Sequence, residues 1–290
     1  YSTLMEVFSK QLNDIVIKAG KIGLDLKDDY STMYKNKGEL YTTADLHMNE
    51  YLKTNLSKLL GQASLILEET EDGKTLDDKL HDAKASFSND YIWAVDPLDG
   101  SINFPGDVWC VSAALLERRD NGFLPIMAGI YVPNYDELFY SDGKKSYVSY
   151  LNTDVTRRIQ IGNPGNSAII QNYKSKQGKY TYGKLDNVIV NSTVFNMASV
   201  ACGDSVGTIT SGNIWDIAGG MALGNKVGVY IHDPESAQKI KYLTLNDFRL
   251  DEENPWKLPK EYYFCSTYNF SLLANEIRPK RSNVLRMPSV

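Results

Sequence analysis

The segment W-A-V-D-P-L-D-G-S-I-N-F, from Trp93 to Phe104, is the most informative part of this chain, because an apolar strand runs directly into two carboxylates, a glycine and a hydroxyl. Asp96 and Asp99 are close enough in sequence for a tight turn to direct both carboxylates, and the Leu98 carbonyl, into one space. Oxygen ligands of this kind suit Mg²⁺, Mn²⁺ or Ca²⁺ better than zinc or copper. The segment therefore predicts a site for hard cations, and a pair of cations bridged by one carboxylate is the usual apparatus for attacking a phosphate ester.

The same D-P-x-D-G pattern is also typical of surface turns, with Pro at the second turn position and Gly tolerating positive φ. Here the pattern follows the apolar run from Tyr91 to Val95. That order places the carboxylates at the carboxyl end of a strand, where ligands bind in α/β folds. The backbone N–H groups of Gly100 and Ser101 come next, and they face an anion if a helix or turn begins there.

Two further acidic positions fit with this segment. Glu68 follows a short apolar strand, although the run E-E-T-E-D that it begins is, taken alone, typical of a solvated acidic loop. Asp216 stands at the start of a helical pattern, where an Asp is a helix N-cap by default and can also be a rigidly held ligand. No histidine cluster competes for the metal, because His47, His81 and His232 are scattered along the chain.

With these motifs in this order, the chain resembles the inositol monophosphatase family of lithium-sensitive, magnesium-dependent phosphatases. The family's signatures read G-E-E, D-P-(I/L)-D-G-(T/S)-x-N-F and W-D-x-A-(A/G)-G, and the likeness runs from about Leu4 to Asp233. The resemblance implies an α/β (α+β) fold, a layered αβαβα sandwich. It also implies hydrolysis of a phosphate monoester by metal-activated water, with two or three Mg²⁺ per site and Mn²⁺ as an alternative ion.

The resemblance assigns roles to individual residues. The implied metal ligands are Glu68, Asp96, the Leu98 carbonyl, Asp99 and Asp216, with Asp96 bridging two ions. The implied catalytic residues are Asp45, Glu68 and Ser101, where Ser101 and Asp45 orient and deprotonate the attacking water. The implied phosphate and substrate contacts are Gly100, Ser101, Asn191, Ser192, Thr193 and Asp216.

The substrate stays open at this stage. Inositol-specific members carry a substrate-binding carboxylate where this chain has Ile209. The Ile209 side chain either faces the substrate or belongs to a core strand. The candidates are an inositol monophosphate-like ester, a sugar phosphate or a nucleotide phosphate, with 3′-phosphoadenosine 5′-phosphate and fructose 1,6-bisphosphate as alternatives. A regulatory or binding protein that retains the site is the alternative of a different class, and the complete ligand set favours catalysis. The basic loop around Lys35 and Lys37 is a second place where selectivity can arise.

Composition narrows the class of protein. With 290 residues, 42% of them hydrophobic, the chain can bury a substantial core, and no segment approaches the ~20 apolar residues of a membrane span. A net charge of −5 argues against nucleic acid or an anionic membrane as a partner. Cys110, Cys202 and Cys265 each lie in an apolar run, as reduced core thiols do. These features lead us to expect a cytoplasmic protein, and the resemblance implies a homodimer whose partner is a small phosphorylated substrate.

Hydrophobic periodicity predicts a first helix through Leu4 to Ile22 and a second helix that begins near Thr42 and carries Asp45. The next strand-like runs predict an antiparallel meander: Val111 to Leu116, Ile126 to Val132 and Glu137 to Tyr140.

A polar passage from Asn152 to Gly165 separates the meander from a stretch in which strands and helices alternate. We therefore predict an N-terminal α+β half over residues 1–150, which carries the D-P-L-D-G-S motif. A C-terminal α/β half over residues 151–290 carries the W-D motif, with the metals at the junction.

Overall fold

The structure, a computed structural model, describes residues 2–34, 40–70, 74–160, 168–172, 179–249 and 255–280. The helices of these residues are α1 Ser2–Asp25, α2 Thr43–Leu59, α3 Leu76–Ser86, α4 Thr193–Cys202, α5 Ile214–Gly224 and α6 Thr267–Glu276. The strands are β1 Thr32–Tyr34, β2 Leu40–Thr42, β3 Ser64–Leu67, β4 Tyr91–Asp99, β5 Cys110–Arg119, β6 Gly122–Val132, β7 Glu137–Ser141, β8 Ser146–Tyr150, β9 Val155–Arg158, β10 Ala168–Gln171, β11 Tyr180–Thr181, β12 Asp186–Ile189, β13 Thr208–Thr210, β14 Val229–His232, β15 Lys239–Ile240, β16 Tyr262–Ser266 and β17 Arg278–Pro279. The loop around Lys35 and Lys37 lies outside the described residues.

The larger sheet has seven strands in the order β3-β4-β5-β6-β7-β8-β9. Strands β3 and β4 pair in parallel, and the remaining neighbours pair antiparallel. The predicted antiparallel meander is therefore confirmed. Because Leu67 lies opposite Val95 in the parallel pair, the next residues, Glu68 and Asp96, lie side by side where the pairing of β3 with β4 ends.

The smaller sheet has the strand order β13-β16-β14-β15, all antiparallel. A parallel pair, β10 and β12, extends it, because Ile169 of β10 bridges to Gly207 just before β13. The predicted alternation of strands and helices in this half is confirmed. Helix α5 ends at Gly224.

Helices and sheets stack in five layers. Helices α1 and α2 pack on one face of the seven-stranded sheet, while α5 packs on the opposite face together with α4. The inner face of the smaller sheet packs on α5 through Phe264, whereas the outer face packs on α6 through Cys265 and Leu273. The predicted αβαβα sandwich is confirmed. No helix in the described part of the chain is long and apolar enough to cross a membrane.

The predicted division at residue 150 falls between two paired strands. Strand β9 adds to the edge of the larger sheet through β8, so this sheet continues to Arg158. Strand β9 was hard to predict because all four of its residues are exposed, and an edge strand of this kind lacks the apolar alternation that identifies a strand. We propose that the boundary between the halves lies after Arg158. The three cysteines are buried and free, as expected.

Helix α5 lies unusually close to its neighbours because two glycines of the W-D-I-A-G-G motif face them. A Cβ added at Gly220 would lie 2.5 Å from the Cβ of Met197 on α4, and one at Gly219 would lie 2.7 Å from the Ser112 hydroxyl on β5. Real side-chain atoms do not approach so closely, so the glycines set the depth at which α5 and its Asp216 sit against the larger sheet.

We expect Gly220→Ala to lower the free energy of unfolding by about 1–3 kcal/mol, because overpacking of α4 against α5 outweighs the gain of about 1 kcal/mol from better helix propensity. Urea denaturation measures the change. Gly106→Ala is the control, since the nearest atom to a Cβ there is an ordinary 3.7 Å away. Equal stability of Gly220→Ala and the parent protein would show that α5 has room to move.

Candidate active site

The end of β4 forms the centre of the site. The Oδ1 atom of Asp96 accepts a hydrogen bond from the Leu98 N–H at 3.0 Å, which closes a tight turn around the proline between them. Pairing with β5 shifts register between Asp96 and Asp99, so the strand bulges where the two carboxylates lie. Gly100 follows with φ +86°, and a Cβ there would lie 3.0 Å from the Asn191 carbonyl oxygen. Only glycine satisfies both conditions without strain.

Three carboxylates converge at this point. Oxygen atoms of Asp96, Asp99 and Asp216 all lie within 4.8 Å of one another. Glu68, at the first residue after β3, shares a side-chain hydrogen bond with Asp96. The structure therefore brings together all four carboxylates that the sequence predicted as metal ligands.

Two of the site's aspartates are held in place by capping boxes at the starts of their helices. Asp45 and Asp216 each occupy the third helical position of a capping box, where the carboxylate accepts the N–H of the N-cap residue. The Oδ2 of Asp45 accepts the Thr42 N–H at 2.7 Å, and the Oδ2 of Asp216 accepts the Asn213 N–H at 2.7 Å. The default assignment of Asp216 as the N-cap was wrong, because Asn213 occupies that position. In both helices the anchored Oδ2 fixes the direction of Oδ1.

Asp99 is held from the opposite side, by the start of α4. Its Oδ2 accepts the Val194 N–H at 2.9 Å and a hydrogen bond from the Ser192 hydroxyl. The Ser192 hydroxyl also accepts the Phe195 N–H at 3.1 Å and so caps α4. Ser192 is buried, so its hydroxyl contacts Asp99 and the helix end rather than open solvent.

Ser101 connects the centre of the site to Asp45. Its hydroxyl lies 3.2 Å from the Oδ1 of Asp45 and 2.9 Å from the Leu98 carbonyl oxygen. One hydroxyl proton serves one acceptor at a time, so Ser101 can turn between the two. The predicted pairing of Ser101 with Asp45, which joins two distant parts of the chain, is present in the structure.

Burial disfavours the ionised form of these carboxylates. Removal from water, followed by the charges of neighbouring carboxylates, raises the pKa of Asp96 and of Asp216 well above the usual value. Burial also raises the pKa of Asp99 to about 6, although the hydrogen bonds from Ser192 and Val194 oppose it. Burial raises the pKa of Asp45 against the hydrogen bonds from Thr42. A cluster of this kind is stabilised by bound cations.

The predicted substrate residues line one side of this centre. The Asn191 carbonyl accepts a hydrogen bond from Asn103 at 3.3 Å, and the Thr193 hydroxyl accepts one from Asn172 at 2.9 Å. A pocket of about 330 Å³ begins at Thr193 and Asp216 and includes Ile209 in its wall. Ile209 also packs in the outer core of the smaller sheet and is only 3% exposed, so it belongs to both the core and the pocket.

Comparison with known proteins identifies the group to which this architecture belongs. A family model for the inositol monophosphatase family matches residues 3–269. The chain belongs to the inositol monophosphatase family. The "Inositol-1-monophosphatase" of Mesorhizobium japonicum is 27% identical over an alignment of 255 residues, and the match covers 80% of this chain and 88% of that protein.

Solved structures of this family share the fold. The extragenic suppressor protein suhB from Bartonella henselae superposes with a TM-score of 0.65 at 19% identity, covering 92% of this chain and 96% of that one. An IMPase/NADP phosphatase complexed with NADP and Ca²⁺ superposes with a TM-score of 0.69 at 13% identity, covering 93% of this chain and 95% of that one.

Sequence reasoning missed four residues that shape the site of this inositol monophosphatase family member. Thr42 and Asn213 position the two capping-box aspartates, and the spacing T-x-x-D and N-x-x-D was a signal that could have revealed them. Asn103 joins the end of β4 to Asn191 across the sandwich. Lys257 lines the pocket beside Asp216, and no sequence motif marks it.

We expect Mg²⁺ to raise the melting temperature more at pH 7.5 than at pH 5. The folded-state pKa of Asp99, about 6, exceeds its ordinary value of 3.8, so the metal-free folded protein holds a proton that the unfolded chain releases more readily. Stability without metal therefore falls as pH rises from about 4 to about 6, and a bound cation removes that penalty. Thermal unfolding in EDTA and in MgCl₂ tests this. In Asp99→Asn the pH dependence of the Mg²⁺ effect should weaken, whereas a Mg²⁺ effect independent of pH in the parent protein would contradict the expectation.

Proposed function

We propose that this protein hydrolyses the monoester phosphate of a small phosphorylated molecule with Mg²⁺ as its cofactor. The observation that carries the proposal is the convergence of Asp96, Asp99 and Asp216 within 4.8 Å of one another, beside the Ser101–Asp45 pair. Membership of the inositol monophosphatase family supports the same class of reaction.

The residues present fit a divalent cation. We propose that Glu68, Asp96, the Leu98 carbonyl, Asp99 and Asp216 hold two or three Mg²⁺, with Asp96 as the bridging ligand and Mn²⁺ as an alternative ion. The donors are all oxygen, and their burial and mutual repulsion favour a state in which positive charge lies among them. Bound Mg²⁺ would supply the positive charge that offsets the phosphate oxygens, and it would lower the pKa of the attacking water.

The protein's own groups position the nucleophile. With Oδ2 of Asp45 fixed by Thr42, Oδ1 accepts the Ser101 proton, which leaves the lone pairs of Ser101 Oγ to accept a proton from the attacking water. The raised pKa of Asp45 makes this carboxylate a better proton acceptor than an exposed aspartate. Glu68, hydrogen-bonded to Asp96, closes the same side of the site.

The opposite side receives the substrate. We propose that the N–H groups of Gly100 and Ser101, at the start of a 3₁₀ turn, bind the phosphate. Thr193 and Asp216 line the pocket on the leaving-group side. We assign Asn191 to the same side, and Ser192 contributes by holding Asp99. Lithium inhibition, a homodimeric assembly and a cytoplasmic location are expected from family membership and belong to the same proposal.

Asp96→Asn should lower Mg²⁺-dependent kcat/KM by more than about 100-fold while the fold persists, because the amide keeps its oxygen acceptor for the Leu98 N–H but loses the charge that holds a cation. Phosphate release from inositol, sugar and nucleotide phosphates measures the loss of kcat/KM. The melting temperature in EDTA shows whether the fold persists. Asp120→Asn, at an exposed position, is the matched control. Near-normal rates in Asp96→Asn would refute the bridging role, and a parent protein that releases no phosphate would favour the regulatory alternative.

Ser101→Ala should lower kcat by about 10²-fold or more, with KM and the Mg²⁺-induced rise in melting temperature little changed, because only the proton path to Asp45 is removed. Ser101→Thr retains a hydroxyl and serves as the rescue variant. If Ser101→Ala turns over at the parental rate, the water is activated elsewhere.

A further inference from the structure

The pocket beside Asp216 differs in charge from the carboxylate cluster that it adjoins. Its wall includes Thr193, Ile209, Ser211, Lys257 and Glu261. A group leaving the phosphate on the Asp216 side enters this pocket, so the chemistry of the wall determines which alcohols the enzyme releases.

The backbone fixes Lys257 next to the metal ligand. Lys257 forms an antiparallel bridge with Asn213, the N-cap of α5. On either side of it the Ile214 N–H donates to the Trp256 carbonyl at 2.9 Å, and the Leu258 N–H donates to the Gly212 carbonyl at 3.1 Å. Trp256 and Leu258 are buried, so in this extended segment the intervening lysine side chain points the other way, along the pocket wall.

The charges of the wall do not cancel. Glu261 forms an ion pair with Lys179 at 3.6 Å and accepts a hydrogen bond from the Tyr180 hydroxyl. Lys257 is half-buried and pairs with no carboxylate among the residues that the structure describes. The described wall beyond Asp216 therefore carries one positive charge without a counterion.

The uncharged groups of the wall also favour an anionic ligand. The Thr193 hydroxyl accepts the Asn172 amide at 2.9 Å, so its own proton is available to an acceptor in the pocket. Ser211 adds another hydroxyl, and Ile209 offers no acceptor to a substrate hydroxyl. Hydroxyl donors beside a lysine that has no ion-pair partner among the described residues suit an anion better than a ring of hydroxyls.

We propose that the substrate carries a second anionic group, a phosphate on the leaving alcohol, and that Lys257 binds it. This inference rests on the proposed phosphatase function and names its substrate class. A charge-assisted hydrogen bond to a half-buried ammonium is worth about 10- to 100-fold in affinity. Lys257 thereby selects bisphosphates over monophosphates with the same alcohol.

The test compares matched pairs of esters that differ by the second phosphate: 3′-phosphoadenosine 5′-phosphate with adenosine 3′-monophosphate, fructose 1,6-bisphosphate with fructose 1-phosphate, and inositol 1,4-bisphosphate with inositol 1-phosphate. Phosphate release with Mg²⁺ gives kcat and KM for the parent protein, Lys257→Met, Lys257→Arg and the exposed control Lys53→Met. Methionine keeps the length of the side chain and its apolar stem while removing the charge.

We expect the parent protein to prefer at least one bisphosphate over its partner by about tenfold or more. Lys257→Met should raise KM for that bisphosphate by about tenfold and leave the monophosphate unchanged, Lys257→Arg should restore most of the preference, and Lys53→Met should have no effect. The inference would be overturned if every monophosphate had a kcat/KM equal to or higher than that of its matched bisphosphate. It would also be overturned if Lys257→Met had an equal effect on both members of a pair. Either result would leave the phosphatase function intact. Absence of hydrolysis of all six esters would overturn the proposed function itself.

Discussion

Mutual repulsion among buried carboxylates is the constraint on which the rest of this structure depends. Asp96, Asp99 and Asp216 lie within 4.8 Å of one another at the edge of the larger sheet, and burial raises the pKa of each. The fold opposes the repulsion by tying one oxygen of each carboxylate to a backbone N–H group: Leu98 for Asp96, Val194 for Asp99 and Asn213 for Asp216. Each carboxylate keeps a second oxygen, which is available to the cations that we propose to bind here.

Those backbone donors come from different layers of the sandwich. The parallel pair β3 and β4 brings Glu68 beside Asp96, while the starts of α4 and α5 approach from the opposite side of the sheet. Close contact at Gly219 and Gly220 allows α5 to reach this depth. The site is therefore only as rigid as the packing of α4 and α5 between the sheets, which links stability to catalysis.

The two sides of the site have opposite electrostatic character. Ser101 and Asp45 lie on the side where carboxylates predominate and a proton can be accepted. The pocket beyond Asp216 is lined by hydroxyls and by Lys257, whose neighbours Trp256 and Leu258 are hydrogen-bonded to the backbone on either side of the Asn213 cap. One short segment thus positions both Asp216 and the lysine that we infer to select the substrate.

The sequence by itself determined most of the order of the elements and the carboxylate motifs, because hydrophobic periodicity, turn residues and the D-P-L-D-G-S and W-D segments are local signals. The αβαβα class followed from the family resemblance that these motifs carry. Only the tertiary structure decided which oxygens are anchored, that Ser192 holds Asp99, that β9 extends the first sheet and that Ile209 belongs to both core and pocket. Lys257 illustrates the reason. It lies far from Asp96 in sequence and is placed beside the site by a backbone bridge to Asn213, a long-range contact that no local pattern encodes.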